Sequence, residues 1–86
     1  MKTNHLMLQE LLQEYHPKER GMINVDEYML IRKTLCLDNM DILALRNLRD
    51  YTVARMGRSK RMEDWDRMSA ITYCIDRHIV NLGGEV

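Results

Sequence analysis

The chain reads as an all-α protein, a compact bundle of about four helices in which helices three and four form an antiparallel hairpin. Three observations predict this. Apolar side chains recur every three or four positions along nearly the whole chain, the spacing of one buried helix face. No stretch shows the apolar–polar alternation of a half-buried strand. The glycines and the single proline (Pro17, Gly21, Gly57, Gly83 and Gly84) fall between the periodic segments rather than inside them. With 86 residues the expected organisation is one small helical domain, residues 1–86, because a chain of this size can build only one modest core.

Helix one is expected from Asn4 to His16, stopped by Pro17, which cannot continue a helix and disfavours helical geometry just before it. Its inner stripe is Leu8, Leu11, Leu12 and Tyr15, while Leu6 and Met7 fall off the stripe and are expected at the surface. The polar stretch His16–Gly21 is a linker. Asn24 with Glu27 three positions later has the form of a capping box and starts helix two, which reaches about Cys36 with Val25, Tyr28, Ile31 and Leu35 on one face. Arg32 lies in the same arc. Asp38 and Asp41 mark the start of helix three, from about Asn39 to Met56, with Gly57 as a left-handed cap. Its apolar arc holds Ile42, Leu45, Leu48, Thr52, Val53 and Met56, with Arg49 inside it. Ser59 is placed to cap helix four, and Glu63 and Asp64 sit in its first turn, where the helix dipole favours carboxylates. Helix four runs to about Leu82. Trp65, Met68, Thr72, Ile75, Ile79 and Leu82 make a heptad-like seam, widened by Ile71, Cys74 and His78. The seam is too short for an autonomous coiled coil, and Trp65 is expected to anchor the core of a chain that has no phenylalanine.

Composition narrows the function classes. Thirteen basic and 13 acidic side chains give a net charge of zero, which argues against a nucleic-acid coat protein and equally against an acidic mimic of DNA. Neutrality also leaves self-association unopposed, so a homodimer is among the expected states. Cys36 and Cys74 are far apart and lack metal-type companions, so neither a disulfide framework nor a metal site is expected. The opening residues MKTNHLMLQELLQ are interrupted by polar and acidic side chains where a signal peptide needs an apolar run, and no segment is long enough to span a membrane. A cytoplasmic setting is the expectation, with no membrane association. Eight methionines supply flexible, polarisable side chains suited to irregular cores and to adaptable partner surfaces.

The candidate sites follow from these residues. Between Arg46 and Arg61 lie six basic side chains and one acid, Asp50. Arg55, Arg58, Lys60 and Arg61 cluster around Gly57, and a turn can fan such charges toward a phosphate backbone. Two features weaken that reading. Glu63, Asp64 and Asp66 follow at once, and the junction fits a helix-turn-helix poorly, since "RSKR" stands where an apolar residue is needed. Cys74 and His78 form an i, i+4 pair with soft-metal ligand types, but no third ligand accompanies them. His5 and His16 are too far apart on helix one to chelate one ion. No nucleophile–base–orienter set occurs, so no enzymatic activity and no cofactor is expected.

The leading expectation is therefore a non-enzymatic protein–protein interaction module, an adaptor, inhibitor or regulator acting through an apolar, Met-rich helix surface. The profile is that of a small bacterial or phage accessory protein. The partner-binding candidates are Leu6, Met7, Leu30 and Leu43, apolar side chains off the core stripes, with Arg32 and Arg49, since arginine on an apolar patch is typical of interface centres. The alternative is a nucleic-acid-binding transcriptional regulator that uses Arg55, Arg58, Lys60 and Arg61.

Overall fold

The computed structural model describes residues 3–17 and 22–85. Its elements are α1 (Asn4–Glu14), α2 (Val25–Thr34), a 3₁₀ turn (Leu37–Asn39), α3 (Ile42–Arg58) and α4 (Met62–Asn81), with no strand among the described residues.

Each helix starts where a short polar side chain can take an orphan N–H, with one exception. Thr3 accepts the Leu6 amide (3.3 Å) at the head of α1. Asn24 and Glu27 close a full capping box on α2, with bonds of 2.8 and 2.9 Å. Asp41 accepts the Ala44 amide (2.8 Å) to start α3. The exception is α4, whose N-cap residue is Arg61 and carries no side-chain cap. Ser59 is instead the C-cap of α3, and its hydroxyl donates to Asp64 in the first turn of α4. Gly57 lies inside α3 and is not the left-handed cap the sequence implied. The left-handed glycine is Gly83, with φ 89°, just past the end of α4. The amides of Gly83 and Gly84 there donate to Val80 and Ile79 carbonyls at 2.9 Å and close the last turn of α4.

The three-residue link Ser59–Arg61 folds α4 back along α3, and cross-pairs running in opposite directions show the antiparallel sense. Arg49 on α3 hydrogen-bonds Asp76 on α4, and Met56 meets Ser69. α1 and α2 lie across this hairpin. Arg67 of α4 donates to the Leu12 carbonyl (2.6 Å), His5 meets Tyr51 of α3 edge to face, and Asp38 stands 3.8 Å from His78 of α4. Leu8, Leu11 and Tyr15 of α1, Ile31 and Leu35 of α2, Leu37, Leu45 and Leu48, and Ile71, Cys74, Ile75 and Ile79 of α4 form one buried cluster.

Several expected positions move. Met7 is buried, not exposed, because α1 sits between α2 and α3 and buries a wider arc than its leucine stripe. Val25, expected inside, is 76% exposed on the first turn of α2, and Val53 and Leu82 are also exposed. Trp65 is 44% exposed rather than a core anchor. The last three share one cause. A heptad seam presumes a single facing helix, whereas α4 meets α1, α2 and α3 at once, so its buried face rotates toward Ile71, Cys74 and His78 and leaves Trp65 beyond the edge; α3 likewise turns Leu45, Leu48 and Thr52 inward and Val53 out. Between Thr34 and Asp41 the chain does not pass straight from helix to helix. Cys36 takes a left-handed conformation (φ 55°), and the 3₁₀ turn drives Leu37 into the core.

Candidate functional site

α1 divides two grooves of opposite chemistry. On one flank, Asn4, Met7, Glu10 and Glu14 follow each other at helical spacing and form one wall of an open groove of about 790 Å³. Leu30, Lys33 and Thr34 of α2, with Cys36, Asn39, Met40 and Ala44 from the turn into α3, close the other side. The lining is mainly apolar, with Glu14 exposed on the α1 rim and Lys33 exposed on the α2 rim. Left-handed Cys36 matters to this shape: it ends α2 abruptly and lets Met40 pack half-buried against the core at the groove wall.

On the other flank, Gln9, Leu12 and Gln13 face the α3–α4 junction across an open groove of about 600 Å³, bounded by Arg55, Arg58, Ser59, Asp64, Arg67 and Met68. Here the side chains are mostly polar. Asp64 accepts from the Ser59 hydroxyl (3.1 Å) and from Arg67 (2.6 Å), and these two bonds hold its carboxyl below the usual carboxylate range. Arg61 pairs instead with Glu63 at 3.6 Å. Arg55, Arg58 and Lys60 have no acceptor among the described residues.

The predicted partner-binding residues separate into three groups. Met7 and Leu30 meet in the apolar groove. Leu6 and Leu43 are exposed, at 49% and 68%, without lining it. Arg32 and Arg49 are occupied elsewhere: Arg32 holds Asp38 through two 2.7 Å contacts, and Arg49 pairs with Asp76, with Asp50 at 3.9 Å. Of the four basic candidates, Arg55 and Arg58 line the polar groove, Lys60 is exposed in the adjoining turn, and Arg61 is diverted to Glu63. No protein-family model, curated protein or solved structure matches this chain.

Sequence reasoning missed Cys36, Met40, Ala44 and Lys33 in the apolar groove, and Gln9, Gln13 and Arg67 in the polar one. One signal was present for the second set. Gln9–Glu10 and Gln13–Glu14 are repeated amide–carboxylate pairs four residues apart, which put amides on one flank of α1 and carboxylates on the other.

Cys74 and His78 are both buried. Burial, then the negative charge of Glu27, pushes the Cys74 thiol up to about 12, so it stays protonated near neutral pH and is a poor nucleophile or metal ligand. Among the described residues no group of three or more His, Cys, Asp or Glu side chains could hold a metal ion, and no helix is long and apolar enough to cross a membrane.

Proposed function

We propose that this chain is a non-enzymatic protein–protein interaction module, an adaptor, inhibitor or regulator, that docks an amphipathic helix of a protein partner in the groove between α1, α2 and the start of α3. The carrying observation is the lining: Met7, Leu30, Met40 and Ala44 bring apolar side chains from three helices and a turn to one groove. Methionines there can repack around a ligand, and a helix laid into such a groove presents anchors at i, i+3 or i+4, and i+7. The rims give the occupant a polarity. Exposed Glu14 on α1 favours a lysine or arginine on the facing flank of the partner helix, and Lys33 on α2 favours an acid on the other.

Net neutrality supports the same reading, because nothing in the overall charge selects for polyanions. A cytoplasmic bacterial or phage accessory protein fits the cysteine usage and size, and a homodimer in which one copy offers a helix to the other is a special case of the same docking. The test is selection from a displayed library of helical peptides against the whole chain, with Leu30→Asp as the counter-target. The expected result is enrichment of helices with apolar anchors and a basic flank that bind the chain and lose at least about tenfold in affinity for Leu30→Asp, a difference of about 1.4 kcal/mol. Peptides that bind both proteins equally would sink the proposal, as would no enrichment together with a strictly monomeric mass in sedimentation equilibrium.

A further inference from the structure

We infer that the second groove, between α1 and the α3–α4 turn, binds a single strand of nucleic acid through its phosphates. Three cations at this place, Arg55, Arg58 and Lys60, have no acceptor among the described residues. The groove's carboxylate, Asp64, is already tied to Ser59 and Arg67 and cannot neutralise them. The facing wall of α1 is amide, not acid: Gln9 and Gln13 point the neutral half of each Gln–Glu pair at the arginines and leave Glu10 and Glu14 to the opposite flank. The groove lining sets Arg55, Arg58 and Arg67 against Asp64 alone, while Glu63 pairs with Arg61 and Asp66 lies in the adjoining hollow beyond Arg67. The lining is therefore positive although the protein is neutral overall, the condition under which local phosphate contacts survive without a basic chain.

Two further features favour a nucleotide chain over a simple anion. Half-buried Leu12 contributes apolar surface beside the arginines, which suits a sugar or base face, and the glutamine amides can both donate to and accept from base edges. The Nε–H of Arg67, another lining residue, is buried with no acceptor. Duplex readers insert a protruding helix or ribbon into the major groove, whereas Arg55 and Arg58 line a concave groove beside apolar and amide side chains, the kind of surface that tracks a single strand.

The experiment is fluorescence anisotropy of a fluorescein-labelled twelve-residue oligothymidylate titrated with the whole chain at several salt concentrations from about 50 to about 200 mM. Neutralising three phosphates of a single strand predicts a slope of log K against log salt near about −2, so affinity should fall about 20-fold over that range. Arg55→Ala combined with Arg58→Ala leaves one cation and should flatten the slope to about −0.7, a loss of about threefold over the same range. A merely structural role would not move the slope, and these side chains make no bonds among the described residues, so the far-ultraviolet helical spectrum should be unchanged. Gln13→Glu is the second variant, adding a carboxylate to the facing wall without removing a cation, and should weaken binding at low salt. Adenosine monophosphate as competitor separates the sources of the phosphate: displacement at micromolar levels assigns the groove to free nucleotides, and displacement only at millimolar levels assigns it to the strand. No binding at 50 mM salt, a slope unaltered in the double variant, equal or tighter binding of a duplex of the same length, or better competition by polyglutamate than by the oligonucleotide would each overturn the inference. Leu30 lies outside this groove, so Leu30→Asp should leave the oligonucleotide titration unchanged, and this result and the helix-docking proposal can fail separately.

Discussion

The two flanks of α1 share a spacing, one apolar side chain with two long polar ones, and end with opposite chemistry. Toward α2 the helix presents Met7 with Glu10 and Glu14 and meets Leu30, Met40 and Ala44; toward the α3–α4 turn it presents Leu12 with Gln9 and Gln13 and meets Arg55, Arg58 and Arg67. The charges are therefore not paired across the helix in the way that would best neutralise them. Turned toward the arginines, exposed Glu14 could gain a pair worth up to about 1 kcal/mol. Carboxylates beside the apolar groove and amides beside the cations give two surfaces of different chemistry.

The largest effect that can break this comparison removes both surfaces together. Leu11 is fully buried between them in the common core, and Leu11→Ala is expected to cost about 2–5 kcal/mol. Denaturant unfolding should show that loss, with peptide and oligonucleotide binding falling in parallel; a loss of one without the other would mean that the grooves do not share α1 as their wall.

The selective break comes next. Met40→Asp is expected to abolish helix docking while oligonucleotide binding stays within about twofold, because Met40 lines one groove and not the other. Isothermal titration with each ligand reads this directly, and parallel loss of both would show that the surfaces are coupled.

High pH tests the core that carries both grooves. Tyr15 is buried with its hydroxyl unpartnered, and burial, then Glu27 and Cys74, pushes it up to about 12 from the ordinary tyrosine value of 10.0. Cys74 is likewise raised to about 12, from 9.0. Both groups hold their protons more tightly folded than unfolded. Their contribution is therefore complete below pH ~9 and is lost progressively as pH rises toward ~12. Thermal melts between pH 8 and pH 11 should show a falling Tm, and Tyr15→Phe should reduce the slope. A flat profile would mean that these groups are solvated.

Smaller effects sharpen the account of the backbone. Gly57 lies inside α3 with no atom within 4 Å of where a Cβ would stand, so Gly57→Ala is expected to stabilise by about 0.5–1 kcal/mol. Gly84→Ala should do the reverse, since its Cβ would stand 2.7 Å from Ile79 Cγ2 and 3.2 Å from the Ile79 carbonyl oxygen. Comparing the two variants by Tm decides whether helix propensity or cap geometry governs each end of the hairpin.

Much of the fold was legible because it depends on local chemistry. The Asn24–Glu27 capping box, the stop before Pro17, the end of α4 at the glycine pair and the α3–α4 hairpin are all written in side chains within a few residues of the feature. What was not legible depends on how many helices meet at once. Trp65 lies outside because α4 packs on several helices at once, and Met7 lies inside because α1 sits between α2 and α3. Cys36 hid the turn after α2, since a left-handed cysteine has no sequence signature. The grooves were half visible. Met7, Leu30, Arg55 and Arg58 could be singled out by type, but which of them share a wall depends on the crossing of α1 over the hairpin. Arg32 and Arg49 show the limit of type alone, for both are taken up by aspartates, Asp38 and Asp76.

The most direct test of the two-groove account is a pair of amide chemical-shift titrations on the nitrogen-labelled chain, one with a library-selected helical peptide and one with the oligothymidylate. The account predicts two separate footprints. The peptide should move Met7, Leu30, Lys33, Cys36, Met40 and Ala44, and the oligonucleotide should move Gln9, Gln13, Arg55, Arg58 and Ser59. A single shared footprint, or shifts concentrated on the exposed face of α4 around Tyr73 and Val80, would contradict it.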